Sequence, residues 1–312
     1  MRGEAWLVLA ALVAEACIGY PQWLYARIRH PVTWLGALLA VLESRWNVAT
    51  TSDVRRRALG IVAVALIVAL SALIAVAIER VAANSAIATA CLVLLATSGL
   101  AQRSLYEHVR AVQRALDAHD LPAARRAVGH IVGRDTAQLD ERQVTAAALE
   151  SLAESCNDAV IAPAFWLLVG GLPGLLAYKA VNTADSMIGH MEPRWRMFGW
   201  AAARCDDVLN WVPARIAGAL LTLAARRGFS IMLRDASKHA SPNAGWPEAA
   251  LAGGLAIRLG GPTSYDGLTH ERPTFGDGDA PTHTDLGRGL LIYMRACGLL
   301  WVALITLGLV TW

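Results

Sequence analysis

Residues 58–78 read ALGIVAVALIVALSALIAVAI, an unbroken apolar run preceded by Arg55, Arg56 and Arg57. A run of about 20 apolar residues without a charge is what a transmembrane helix requires. Working outward, residues 86–101 form a second, shorter apolar run, separated from the first by a short turn containing Glu79, Arg80 and Asn84, so the two predict a helical hairpin. Residues 296–312 predict another span, ending in Trp312. Residues 6–20 predict a first, uncleaved helix, because the flanks lack the charge and small-residue pattern of a signal peptide.

The composition agrees with that reading. Of 312 residues, 55% are hydrophobic and 17% charged, and the net charge is +3. Ordinary soluble domains carry about 45–50% apolar and about 25% charged residues. Such a chain is neither disordered nor a nucleic-acid binder, since it has no basic stripe interleaved with aromatics. Lys179 and Lys238 are its only lysines. The cysteines, Cys17, Cys91, Cys156, Cys205 and Cys297, are too far apart for a zinc or redox motif.

The positive-inside rule places residues 21–57, with six arginines, on the cytoplasmic side. Two spans later the chain returns inside, so residues 102–158 predict a cytoplasmic helical insertion. Leu105, Val109, Val112 and Leu116 follow helical spacing, and Pro122 opens a second helix running to Val132. The second half is less regular. Residues 160–177 are broken at Gly170-Gly171-Leu172-Pro173-Gly174, which predicts either one kinked span or a re-entrant pair of half-helices. Residues 209–225 and 249–261 are apolar but interrupted, and residues 263–289 predict a polar loop. The fold class is therefore an all-α, polytopic membrane protein with cytoplasmic amphipathic helices and broken helices in its second half, forming one domain over 1–312.

Ionisable groups at membrane depth are costly and usually functional. Five short stretches concentrate them. Asp135 or Thr136 suits the cap of a following helix. Glu150, Glu154 and Asp158 fall at i, i+4 and i+8 on one helix face. That is either a solvated face or a site for Mg²⁺ or a basic partner, since hard cations take carboxylate oxygens. Lys179, Asn182 and Asp185 recur every three residues on one side of a helix. Arg204 and Asp207, and Asp206 and Asn210, are spaced to pair along a helix, with Pro213 and Arg215 beyond. The acids outnumber the one arginine, which favours a metal or substrate site over simple ion pairing. His239, Ser241, Asn243, Trp246 and Glu248 form a shaped turn in which Pro247 opens a helix with free N–H groups for an anion. No P-loop, dinucleotide fingerprint, HExxH or nucleophile elbow is present.

Read together, these stretches resemble the cobalamin-biosynthesis CobD/CbiB family, the adenosylcobinamide-phosphate synthases. The resemblance runs from His30-Pro31-Val32-Thr33-Trp34-Leu35-Gly36 to Leu259-Gly260-Gly261-Pro262. Between them lie Val132-Gly133-Arg134-Asp135-Thr136, Leu139-Asp140, the stretch from Glu150 to Glu154, Val160-Ile161-Ala162-Pro163 and the stretch from Tyr178 to Met187. The stretches from Phe198 to Asp207, Asn210 to Arg215 and Ser241 to Glu248 complete it. The family usually reads Asn-Thr-Ser-Asp-Gly after the glutamate where this chain has Ser155-Cys156-Asn157-Asp158-Ala159, so no role is placed on Ser155 or Cys156.

The resemblance implies a multi-pass enzyme of the bacterial inner membrane with its site facing the cytoplasm. Such an enzyme joins adenosylcobyric acid to (R)-1-aminopropan-2-ol or its O-phosphate through an amide, using ATP, most simply through an acyl phosphate. It implies a corrinoid substrate, ATP and Mg²⁺, the lipid bilayer, and other late cobalamin-assembly enzymes as partners. On that chemistry, Glu150, Glu154, Asp158, Asp185, Asp206 and Asp207 are expected to hold Mg²⁺. Lys179, Arg204 and Arg215 are expected to neutralise phosphate charge. His239, Asn243 and Glu248 are expected to shape the amine side, one of them as base. Asp135, Asn182, Asn210, Ser241 and Trp246 are expected to contact substrate. These roles are chemistry placed on matched positions. A transporter, with polar residues in broken helices, and an AmpE-like membrane regulatory protein are the competing expectations.

Overall fold

The structure is a computed structural model that describes residues 3–82, 85–261, 263–265, 268–270 and 272–311. Asn84, Pro262 and Trp312 of the sequence reading lie outside them. In chain order the helices are α1 (Glu4–Ile18), α2 (Gln22–Ile28), α3 (Pro31–Trp46), α4 (Asp53–Ala82), α5 (Ala86–Thr97), α6 (Gln102–Asp117) and α7 (Leu121–Val128). There follow α8 (Glu141–Cys156), a π turn (Asn157–Ile161), α9 (Ala162–Ile188), α10 (Trp200–Leu209), α11 (Trp211–Ala225), α12 (Phe229–Asp235), α13 (Gly245–Leu255) and α14 (His283–Val310). The protein is a polytopic helical membrane protein. Asp53–Ala82, Ile87–Asp117, Glu141–Ile188 and His283–Val310 are long and apolar enough to cross a bilayer, and Trp200–Leu209 with Trp211–Ala225 add a fifth if taken as one broken span.

Several local readings change. The N-terminal run makes a helix of only 15 residues, because Gly19 takes a left-handed φ of 63° and Pro21 follows. At 1.5 Å per residue it is about 22 Å long, short of the roughly 30 Å hydrocarbon core. The arginine-rich stretch 21–57 is mostly helical rather than a loop, with His30 accepting the Val32 N–H at the start of α3. Helix α4 continues to Ala82, so Glu79 and Arg80 lie in the helix and not in the predicted turn. Helix α7 is capped by Asp120 and ends at Val128, four residues early. Asp140, not Asp135 or Thr136, caps α8, through a capping box with Gln143. Helix α14 starts at His283, so the predicted polar loop ends there. It is also not wholly irregular: Leu259↔Phe275 and Gly260↔Thr274 pair antiparallel, as do residues 263–265 with 268–270.

The chain forms two compact units, each assembled from segments distant in sequence. The first comprises residues 1–101, 162–210 and 304–312. Its core holds Leu39 and Leu42 of α3, Ala63, Val64 and Ile67 of α4, Ala180, Ala184 and Ile188 of α9, and Phe198, Ala201 and Ala202. Small residues let the backbones close in: a Cβ on Gly60 would stand 1.9 Å from the Phe198 carbonyl oxygen. Helix α9 breaks at Gly171, whose φ is 61°, two residues before Pro173. The Leu172 N–H freed by the break donates to Glu79 Oε1 of α4 at 2.7 Å. Arg194 meets Glu43 of α3 in a bidentate pair at 3.0 Å on both arms.

The second unit comprises residues 102–161 and 211–303. Helix α6 buries Leu105, Val109, Val112 and Leu116, the face its spacing predicts. Helix α13 buries every residue but Trp246, which explains why its run is apolar yet far too short to cross a membrane. Fully buried Asp235 anchors the return of the chain: its carboxylate takes Arg234 at 2.7 Å, Lys238 at 2.6 Å and the Gly276 N–H at 2.8 Å.

Candidate functional site

Within the second unit, α8, the turn before it, the segment leading into α13 and the segment entering the last short strand enclose a polar cavity of about 400 Å³. Glu150, Glu154, Arg134, His239, Glu248 and Arg272 line it. Glu150 organises the cationic wall. Its Oε2 receives Arg134 at 3.1 Å and Arg272 at 3.2 Å, and its Oε1 receives the Gly260 N–H at 2.9 Å. Two guanidiniums are thus held side by side, facing the cavity, by one buried carboxylate. Charge-assisted contacts of this kind fix geometry as well as energy.

Opposite in chemistry is Glu248, on the first turns of α13 and 1% exposed. Its Oε1 lies 3.6 Å from His239 Nε2 and its Oε2 lies 3.7 Å from Arg272 Nη2, neither a hydrogen bond. Burial, with the negative charges of Glu150 and Glu154 behind it, pushes its carboxyl well above the usual range despite Arg272 and Arg134. His239 is fixed on three sides. Its Nδ1 accepts the Ser241 N–H at 2.9 Å, its ring stacks on Phe275 at 6.1 Å, and Nε2 turns toward Glu248. Burial and then the Arg272 charge hold it below the ordinary histidine value, which keeps it neutral at pH 7.

The other predicted residues of this unit are placed around it. Ser241 is used locally: its Oγ accepts the Asn243 and Ala244 N–H groups at 3.2 and 3.3 Å. Helix α13 therefore starts two residues before Pro247, and part of the expected anion-binding amide set is already bonded. Arg215 lies between the rings of Trp211 and Trp246, at 4.2 and 4.7 Å, with Nη1 3.5 Å from Asn243 Oδ1. Glu154 is exposed at the cavity lining. Asp158 sits on the π turn, bonded by Asn157 at 2.7 Å, and does not line the cavity. Asp135 is exposed and accepts the Ala137 N–H, a local turn.

In the first unit, Lys179 donates to Asn182 at 3.1 Å, and Tyr178 donates to Asn210, which donates to Asp206 at 2.9 Å. Arg204 pairs with Asp207 at 2.9 Å. Asp185 lies within electrostatic reach of Asp206, Asp207 and Arg204. His30, absent from the sequence-predicted set, joins this group: burial and then the Lys179 charge lower its pKa.

The six acids expected to hold Mg²⁺ are divided between the units. Among the described residues, no three His, Cys, Asp or Glu side chains are placed to hold a metal ion. Glu150 is saturated by its arginines and the Gly260 amide, and Asp207 is paired with Arg204. The residues do not fit a protein-built magnesium cage. Sequence reading also missed Arg134 and Arg272 as site residues. Arg134 sits in a quoted motif, but Arg272 lies in a stretch with no periodicity, and nothing local marks it.

No solved structure matches the chain. The family described as CobD/Cbib protein matches residues 8–293. Curated relatives called "Cobalamin biosynthesis protein CobD" align over nearly the full length. The Rhodobacter capsulatus protein is 46% identical over 294 residues, covering 93% of both chains. A Sinorhizobium protein is 44% identical, covering 93% of this chain and 94% of its own. The Rhizobium meliloti protein is 38% identical, covering 97% of both. On that coverage the chain belongs to the CobD/Cbib family, and its role lies in cobalamin biosynthesis.

Proposed function

We propose that the chain is an adenosylcobinamide-phosphate synthase, joining adenosylcobyric acid to (R)-1-aminopropan-2-ol or its O-phosphate in an ATP-dependent amide ligation. Beyond family membership, what supports this reading is the cavity of the second unit, where two pinned guanidiniums face a buried carboxyl that makes no hydrogen bond. An acid–amine ligase needs such a division: cations for an anionic acid or its phosphate, and an acceptor for the amine's proton.

Arg134 and Arg272 are held in place before substrate arrives, so they bind and orient an anion without reorganising. Arg215, stacked between two indoles, is a third pre-oriented guanidinium. ATP supplies the phosphoryl group that makes the corrinoid carboxylate a good acyl donor. Mg²⁺, if carried in by the nucleotide, would neutralise phosphate charge there. The site faces the cytoplasm of a bacterial inner membrane, where ATP is available, and other late cobalamin-assembly enzymes are the partners expected to pass it substrate.

The test is a ligation assay on detergent-solubilised full chain with adenosylcobyric acid, aminopropanol or its phosphate, Mg²⁺ and ATP, read by product mass. ATP-dependent amide is the expected result. Corrinoid counterflow in vesicles, with no amide from either amine, would overturn the reading in favour of transport.

A further inference from the structure

We infer that Glu248 receives the proton of the attacking amine and that His239 is a positioning residue; this rests on the ligase reading above. The cavity's substrate at this end is then a small primary ammonium.

Two observations on geometry carry the assignment. Glu248 is 1% exposed, lines the cavity, and its Oε2 has no hydrogen-bond partner. A buried carboxylate oxygen left unbonded costs free energy unless a ligand completes it. The ligand that completes a carboxylate brings N–H groups and positive charge, which an ammonium does. His239 is the obvious rival, and its tautomer excludes it. Nδ1 accepts the Ser241 N–H at 2.9 Å, so the neutral ring carries its proton on Nε2. Nε2 points to Glu248 Oε1 at 3.6 Å. The imidazole therefore presents a donor to Glu248 and has no lone pair free for the amine.

The step balances. The amine arrives as an ammonium and one proton moves to Glu248 Oε2, freeing the nitrogen lone pair. The nitrogen attacks the carbonyl carbon of the acid, activated as its phosphate by the nucleoside triphosphate. The C–N bond forms and the bond from that carbon to the phosphate oxygen breaks. Phosphate leaves with the electron pair and takes the second nitrogen proton. The charged and titratable groups facing Glu248 are Glu150 and Glu154 of α8, Arg134 before it, Arg272, and His239. Because burial, and then the neighbouring acids, raise the Glu248 pKa, amide formation is expected to rise with pH through that raised value.

The experiment compares two nucleophiles on the full chain in detergent: the amino alcohol, an ammonium at pH 7, and hydroxylamine, which is largely unprotonated there. Wild type is expected to form both amide and hydroxamate. E248Q is expected to lose about 10²-fold or more in amide formation while keeping hydroxamate formation within a few-fold. H239A is expected to lower amide formation, and H239Q, which retains an N–H donor, to restore most of it. Equal loss of both products in E248Q, or loss in H239Q matching that in E248Q, overturns the assignment. Should E248Q not fold, E248D serves: it is expected to lose amide formation selectively, and equal loss of both products again overturns it. Wild type forming neither product would instead overturn the ligase reading itself.

Discussion

Glu248 Oε1 stands 3.6 Å from His239 Nε2, with Nδ1 of the same ring closed off by the Ser241 amide at 2.9 Å. A histidine so held is a donor toward the glutamate, and the glutamate carries the consequence in stability as well as in chemistry. Its pKa is raised in the folded protein, so the fold binds a proton that the unfolded chain releases near the ordinary value of about 4.3. The stabilisation is present below that ordinary value and is lost as pH rises through the raised folded value. E248Q, which cannot ionise, is expected to melt progressively higher than wild type between pH 5 and pH 8. A Tm difference constant across that range would contradict the raised pKa.

Glu150 pairs with both Arg134 and Arg272 and so holds them together at the cavity. E150M removes the carboxylate shared by two largely buried guanidiniums, and breaking a buried pair from one side costs about 3–5 kcal/mol. The variant is expected to unfold at markedly lower denaturant, while R134M/E150M recovers part of the loss. Two single-site costs that simply add would show that the pair is not coupled.

Asp235 is held well below the usual carboxylate range, first by its hydrogen bonds from Arg234, against the opposing effect of burial, and further by Lys238 and the Gly276 N–H. Its stabilisation is present above the ordinary value of about 3.9 and is lost only as pH falls toward the lowered one. D235A is therefore expected to destabilise the protein by about 1–3 kcal/mol at pH 7, with the penalty shrinking below about pH 4. A penalty independent of pH would contradict the depressed pKa.

Gly171 sits at φ 61°, and a Cβ there would meet Glu79 Oε1 at 2.5 Å. G171A is expected to destabilise by about 1–3 kcal/mol, from left-handed backbone and the displaced carboxylate together. E79A should cost about 1–3 kcal/mol by leaving the Leu172 N–H unbonded. E79Q keeps an acceptor and is expected to lie near wild type. Thermal unfolding in detergent separates the three, and an E79Q as unstable as E79A would show that charge rather than the hydrogen bond matters.

The membrane character of the chain was legible because hydropathy is a local sum: residues 58–78 predict α4 with no reference to any other segment. The buried face of α6 was legible for the same reason, since Leu105, Val109, Val112 and Leu116 carry the helical period in their own spacing. The Gly-Pro break in α9 could be read from residues that cannot continue a helix, but its acceptor, Glu79, stands 93 residues earlier. Apolar content alone left α13 unassigned, because a helix buried in protein and a helix buried in lipid share a composition.

The candidate site divides along the same line. Glu150 and Glu248 were readable as acids placed among apolar neighbours, a local anomaly. Arg272 was not, because its partner Glu150 is 122 residues away and the intervening chain has no period from which to infer the approach. Which acids are already neutralised, and so cannot hold a metal, depends on those distant cations. Sequence determined which segments are helical and apolar and which residues bring charge into them. Only the tertiary structure decided which charges meet, because electrostatic pairing depends on distance in space, and chain order does not encode that distance.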